Sequence, residues 1–203
     1  MLLGLADTNG GSLALGGVSY RELGKSEIRK RYSIALQRPM IFEGTVRENI
    51  KMGKPDASDE EILSALSDCA MKDFINAQKD GLDHFLVGGG QNVSGGQKQR
   101  LNMARTVIKP ADIYIFDDSF SALDFLTESQ IKQNLDERLK GKTVITVTQR
   151  VSTAMRAERI YLVDKGKIIG VGSHKELIST SPIYREICLS QLGADKVGGD
   201  FND

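Results

Sequence analysis

An α/β fold built on a largely parallel sheet is the architecture predicted by this 203-residue sequence, and three observations carry that expectation. Ile113-Tyr114-Ile115-Phe116 is a continuous apolar run of strand length, the pattern of a parallel strand buried on both faces. Thr143 to Thr148 is a second run, β-branched throughout, and a helical stretch from Glu128 to Leu139 separates the two. Alternating strands and helices imply crossover connections and therefore parallel pairing. Thr45 to Lys109 is mostly helical and reads as an insertion between two strand regions.

In chain order, Leu13 to Val18 predicts a short hairpin, with turns at Asn9-Gly10-Gly11 and Gly16-Gly17. Ser26 is placed to cap a short helix ending at Arg31, and Tyr32 to Leu36 follows as a strand. Ser58-Asp59-Glu60-Glu61 is a capping sequence leading into Ile62, Leu63, Leu66 and Cys69, which are apolar at helical spacing. Beyond the β-branched strand, Arg159 to Val163 and Lys167 to Ile169 flank an Asp164-Lys165-Gly166 turn. His174 to Ile178 opens the last helical region, and the tail 193–203 is expected to fray.

Composition narrows the function classes. Lys plus Arg is 27 and Asp plus Glu is 27, so the formal net charge is zero. That excludes a broad electrostatic footprint for nucleic acid or an acidic membrane, though not a local one. Cys69 and Cys188 are too few for a disulfide scaffold and both read as core thiols. His84 and His174 alone exclude a multi-histidine metal site. No apolar run approaches the roughly 18 residues of a membrane span, so the chain by itself reads as soluble.

Chemistry concentrates in two places. In Val93-Ser94-Gly95-Gly96-Gln97, two glycines directly follow a capping serine at a helix start. Their amides are left uncovered at the positive end of the helix dipole, which suits a phosphate; the plain alternative is a helix cap after a glycine-rich loop. Asp117-Asp118 ends the buried strand, where open α/β sheets place ligands; the plain alternative is a solvated turn. Asp117 suits Mg²⁺, and the next carboxylate suits an attacking water. Lys98, Gln99 and Arg100 read as a solvated face, and His174 as a residue near a helix start rather than a base.

Four motifs in this order resemble the ATP-binding cassette (ABC) family in its transporter branch. Gln37, before Pro39, resembles the Q-loop glutamine, and Val93 to Gln97 resembles the signature motif. Ile113 to Asp117 resembles Walker B, and Ser121 to Asp124 resembles the D-loop. Phe42 to Ile50 is similar to the segment that exporter-type cassettes carry after the Q-loop. The resemblance implies a P-loop NTPase-like (RecA-like) core with a mostly parallel sheet and an inserted helical subdomain at about 46–110. The partial cassette would span 1–192 and be N-terminally incomplete. It implies ATP and Mg²⁺ as cofactors, with Asp117 and Gln37 on the metal, Asp118 as the base and Gln149 on the γ-phosphate. Ser94, Gly95, Gly96 and Gln97 would touch a partner's nucleotide, and Asp124 would lie at the seam between two cassettes. The implied partners are a second, different cassette and the transmembrane domain of an exporter, at the cytoplasmic face of the membrane. No nucleic-acid partner is implied.

Three departures from the family pattern shape the expectation. No Gly-x-x-x-x-Gly-Lys-Ser/Thr phosphate loop occurs: Gly24-Lys25-Ser26 has Ser19, and Gly141-Lys142-Thr143 has Asp136, where the first glycine is required. In the family that loop would lie just before Met1. Asp118 stands where active cassettes usually carry glutamate, which draws the carboxylate back by about one C–C bond, ~1.5 Å. Gln149 stands at the switch-histidine position, where an amide can hydrogen-bond a phosphate but cannot relay a proton. With the signature intact, the pattern is that of the degenerate half of an asymmetric pair. A soluble, non-transporter cassette ATPase and a non-catalytic fragment or interaction module are the alternative readings.

Overall fold

Gly16 and Gly17, both with positive φ, turn the chain between β1 (Ala14–Leu15) and β2 (Val18–Ser19), which pair antiparallel as the expected hairpin. The structure is a computed structural model that describes residues 1–193, so residues 194–203 of the expected tail lie outside the described residues. The chain divides into two compact units, Met1–Ile145 and a second that begins at Thr146.

Helix α1 (Lys25–Arg31) starts at an extended Gly24 with no side-chain cap. Ser26 therefore lies inside the first turn and does not cap it, contrary to the sequence expectation; the helix starts at Lys25, two residues before the Glu27 that a Ser26 cap implies. β3 (Tyr32–Ala35) follows without a break, its residues mostly buried. The intervening segment then opens with β4 (Gly44–Thr45) and α2 (Val46–Lys51), followed by α3 (Asp59–Asp68) and α4 (Lys72–Asn76). β5 (Phe85–Leu86) pairs antiparallel with β4, and the long α5 (Gly95–Ile108) closes the segment. Ile50, Ile62, Leu66, Leu86, Leu101 and Met103 are fully buried among these elements and join one apolar core with the Cys69 thiol, whose pKa burial pushes up. Full burial of such side chains is worth about 1.5–3 kcal/mol each.

β6 (Ile113–Asp117) lies parallel to β3 in the register Tyr32↔Ile113 to Ala35↔Phe116, confirming the parallel pairing. α6 (Phe125–Arg138) begins at its cap Asp124, and β7 (Thr143–Val147) completes a sheet in the order β3-β6-β7.

In the second unit, α7 (Val151–Ala154) precedes β8 (Ile160–Asp164) and β9 (Lys167–Gly172). These strands pair antiparallel around Lys165 and Gly166, both at positive φ as a two-residue hairpin turn requires. α8 (His174–Thr180) and α9 (Pro182–Leu192) follow, and Val151, Ile160, Leu177, Tyr184 and Cys188 form the unit's core. His174 is buried at the first position of α8, its Nδ1 2.9 Å from the Tyr184 hydroxyl, and burial lowers its pKa.

Candidate functional site

The first turn of α5 is built by a reciprocal cap. Ser94 is extended, and its Oγ accepts the Gln97 N–H at 3.2 Å; Gln97 Oε1 accepts the Ser94 N–H at 2.8 Å. Two of the free amides of the helix start are thereby satisfied, leaving those of Gly95 and Gly96, which have no acceptor within a helix. The first turn carries no acidic residue. A Cβ on Gly95 would meet nothing within 4 Å, so its backbone is open to an approaching group. On Gly96 a Cβ would stand 3.3 Å from the Ala122 carbonyl oxygen, so glycine there permits close packing on the loop after β6. Two amides without an intrahelical acceptor at the positive end of a 14-residue helix, in a first turn free of acidic residues and open at Gly95, fit a phosphate.

The second cluster forms at the carboxyl ends of β3 and β6. Asp117 is the last residue of β6 and is half-buried. Asp118 follows at φ +45°, a left-handed conformation that aspartate tolerates better than most residues. Its carbonyl accepts from the Ser121 N–H at 3.3 Å and the Ser121 hydroxyl at 2.8 Å. The buried Ser119 hydroxyl donates to the Ala35 carbonyl at 3.1 Å, tying this loop to the end of β3. Because Ala35 pairs with Phe116, the exposed Gln37 and the half-buried Asp118 leave the sheet from the same end. The structure thus brings Gln37, Asp117 and Asp118 to one edge. Among the described residues no group of three or more His, Cys, Asp or Glu could hold a metal ion. One carboxylate and one amide fit Mg²⁺ that arrives with phosphate and water oxygens rather than in an all-protein cage.

Asp124 is the N-cap of α6, accepting the Thr127 N–H at 3.0 Å, and that bond holds its carboxyl below the usual range. Gln149 belongs to the second unit, where it is exposed and its carbonyl accepts from Gln191 Nε2 at 2.8 Å.

The site depends on residues that sequence reasoning missed. Gln99, expected on a solvated face, is 6% exposed and spans to the loop of Ser121 and Ala122. Its neighbour Arg100 is half-buried, donates to the Ala70 carbonyl at 2.6 Å and has its pKa lowered by burial. Gln99 is covered by the loop after β6, and Arg100 by the turn at Ala70 between α3 and α4. Asn102 Nδ2 donates to the Leu36 carbonyl at 3.3 Å, directly before Gln37. Arg105 donates to the Met40 carbonyl at 2.6 Å and stacks over Phe42. Asn49 closes the following loop through bonds to the Phe42 N–H and the Phe42 and Thr45 carbonyls. Only a polar residue within an otherwise apolar helical face signals such roles in sequence.

The chain is similar to known proteins in sequence and in fold. The family described as "ABC transporter" matches residues 1–121. An uncharacterized ABC transporter ATP-binding protein of Mycobacterium tuberculosis is 39% identical over 198 residues, 96% of this chain and 34% of that protein. The β-(1→2)glucan export ATP-binding/permease protein of Rhodopseudomonas palustris is 35% identical over 186 residues, 92% of this chain and 31% of its own. The solved structure of a bacterial Atm1-family ABC exporter with ATP bound superposes with a TM-score of 0.90 at 30% identity, covering 94% of this chain and 33% of that one. The chain spans about a third of the length of these relatives. With its motif order, its α/β core and these likenesses in agreement, the chain belongs to the ABC transporter family, in the ATP-binding part that its exporter relatives share.

Proposed function

We propose that this chain is ATP-binding machinery of an ABC exporter, coupling ATP binding and hydrolysis at a pair of cassettes to transport across a membrane. The observation that carries this reading is the α5 N-terminus: an uncharged capping box enclosing two glycines whose amides have no acceptor within the helix, with open space at Gly95. In this reading Ser94, Gly95, Gly96 and Gln97 meet the phosphates of a nucleotide held by a second cassette's phosphate loop. Asp117 and Gln37 hold Mg²⁺, Asp118 orients the attacking water, Gln149 reaches the γ-phosphate and Asp124 faces the partner cassette. Bound ATP would supply the phosphoryl group, and Mg²⁺ would neutralise its charge. The protein's part is positioning and charge stabilisation by amides already in place. A helical subdomain over about 46–110 would carry the signature, with the membrane domain of the exporter as the other partner, at the cytoplasmic face.

The chain's own site is the weaker of the pair: Asp118 is one methylene short of glutamate and Gln149 cannot relay a proton. Asp118 also sits at φ +45°, which favours the shorter acid. The deciding experiment is ATP turnover by the membrane-reconstituted transporter containing this chain. Gly95→Asp, which sets a carboxylate before the open amides, should cut turnover on the order of 100-fold. Unchanged turnover would overturn the donated-signature reading. Asp118→Glu should raise turnover if this chain's own site is limited by reach.

A further inference from the structure

Gln99 is a carboxamide in the second turn of α5 with only 6% of its surface exposed. Burying an amide costs free energy unless both ends are bonded, and here both are. Its Oε1 accepts the Ala122 N–H at 3.0 Å, and its Nε2 donates to the Ser121 hydroxyl at 3.2 Å. That hydroxyl donates to the Asp118 carbonyl at 2.8 Å, and the Ser121 N–H reaches the same oxygen at 3.3 Å. A continuous chain of bonds therefore leads from α5 to the left-handed Asp118. The backbone contact runs alongside it, since a Cβ on Gly96 would stand 3.3 Å from the Ala122 carbonyl oxygen. The first two turns of α5 and the Ser121–Leu123 loop have no slack between them.

We propose that Gln99 is a positioning residue that couples the Gly95-Gly96 end of α5 to the backbone of Asp118 within the same chain. Phosphate engaged at one chain's α5 then biases the residue that orients water in that chain's own site. The coupling rests on the reading of Gly95 and Gly96 as phosphate-facing amides; the tie from Gln99 to the loop does not.

The test is amide NMR with hydrogen exchange on this chain, isotope-labelled and assembled with the second cassette that supplies the phosphate loop, with Mg–ATP as the probe. In the wild type, Mg–ATP should shift the Gly95, Gly96, Asp118 and Ala122 amides together. Gln99→Leu keeps the volume and removes both bonds, so Ala122 should exchange about tenfold faster. Protection at Met103, in the same helix, reports that the fold is kept. In that variant the glycine shifts should persist while those of Ala122 and Asp118 vanish. Gln99→Glu retains an acceptor for Ala122 and loses the donor to Ser121; it should keep Ala122 protected and lose the Asp118 response. This second variant decides the matter if Gln99→Leu loses Met103 protection. An undiminished Asp118 response in the folded variants overturns the coupling, and unchanged Ala122 exchange in Gln99→Leu overturns the tie. Absence of glycine shifts in the wild type overturns the phosphate reading and the coupling with it, while the Ala122 exchange ratio still decides the tie.

Discussion

Helices α3 and α5 begin with the same device and present opposite electrostatics. In α3, Ser58 accepts the Glu61 N–H and Glu61 accepts the Ser58 N–H; in α5, Ser94 and Gln97 do the same. The first turn of α3 carries Asp59, Glu60 and Glu61, with Glu61 paired to Lys54 and Asp59 to Arg47. The first turn of α5 carries no acid and has glycine at its first two positions. α2 and α8 follow the α3 pattern, with Glu48 and Glu176 completing their capping boxes. A carboxylate cap neutralises the helix end and stabilises it; a carboxamide cap closes the same bonds and leaves the positive end available to an anion. Three first-turn positions separate the two starts: glycines stand at Gly95 and Gly96 where α3 has Asp59 and Glu60, and a carboxamide at Gln97 where α3 has the Glu61 carboxylate.

Gln97→Glu should narrow that difference with the largest effect. It preserves the capping box and therefore the fold, but sets a charge near the expected phosphate, so ATP turnover in the assembled transporter should fall on the order of 100-fold. Circular dichroism melting of the chain alone should show no loss of stability.

Removing the two serines sharpens the contrast. Ser58→Ala and Ser94→Ala should each cost about 1 kcal/mol in urea unfolding, because each deletes one cap of the same kind. Only Ser94→Ala should also lower ATP turnover in the assembled transporter. Equal functional effects would dissolve the distinction between the two helix starts.

Acid should reveal the smallest difference. Lys54 and the Ser58 N–H hold Glu61 below its ordinary value, and backbone bonding at Ser173 does the same for Glu176. A carboxylate whose pKa is lower folded than unfolded stabilises above its unfolded value, near 4.5, and loses that contribution as pH falls through the folded value. Glu61→Gln should therefore flatten the fall in melting temperature between about pH 5 and pH 3 slightly. Gln97 has no proton to take up, so Gln97→Glu should steepen it.

His174 offers a separate pH check within the second unit. Burial lowers its folded pKa below the ordinary 6.5, so its neutral form stabilises above that value. That contribution is lost as pH drops below about 6.5, and His174→Gln should remove the sensitivity in thermal melts across pH 7 to 5.

Much of the architecture was legible in local sequence. The buried run Ile113 to Phe116 and the capping strings at Ser58 and Ser94 appear in the structure as the strand and helix starts expected. Each depends on residues within a few positions of one another. Ser26 misled because capping chemistry was present, but the chain reaches helical geometry at Lys25, one residue earlier. α6 begins at Phe125, three residues before the expected Glu128, because the Asp124 side chain caps it by accepting the Thr127 N–H.

The sequence by itself determined the two chemistries and their local frames: open glycine amides behind Ser94, and paired carboxylates at the end of a strand. Tertiary structure alone decided what holds those frames in place. The Gln99, Asn102 and Arg105 side chains find partners 22 to 66 positions away, at Ser121, Leu36 and Met40. Long-range pairing of this kind leaves no period or spacing in the sequence, because it is selected by which surfaces meet when the core closes. Only after α5 packs beside β3 and the loop after β6 does a glutamine that reads as solvated become the buried tie between them.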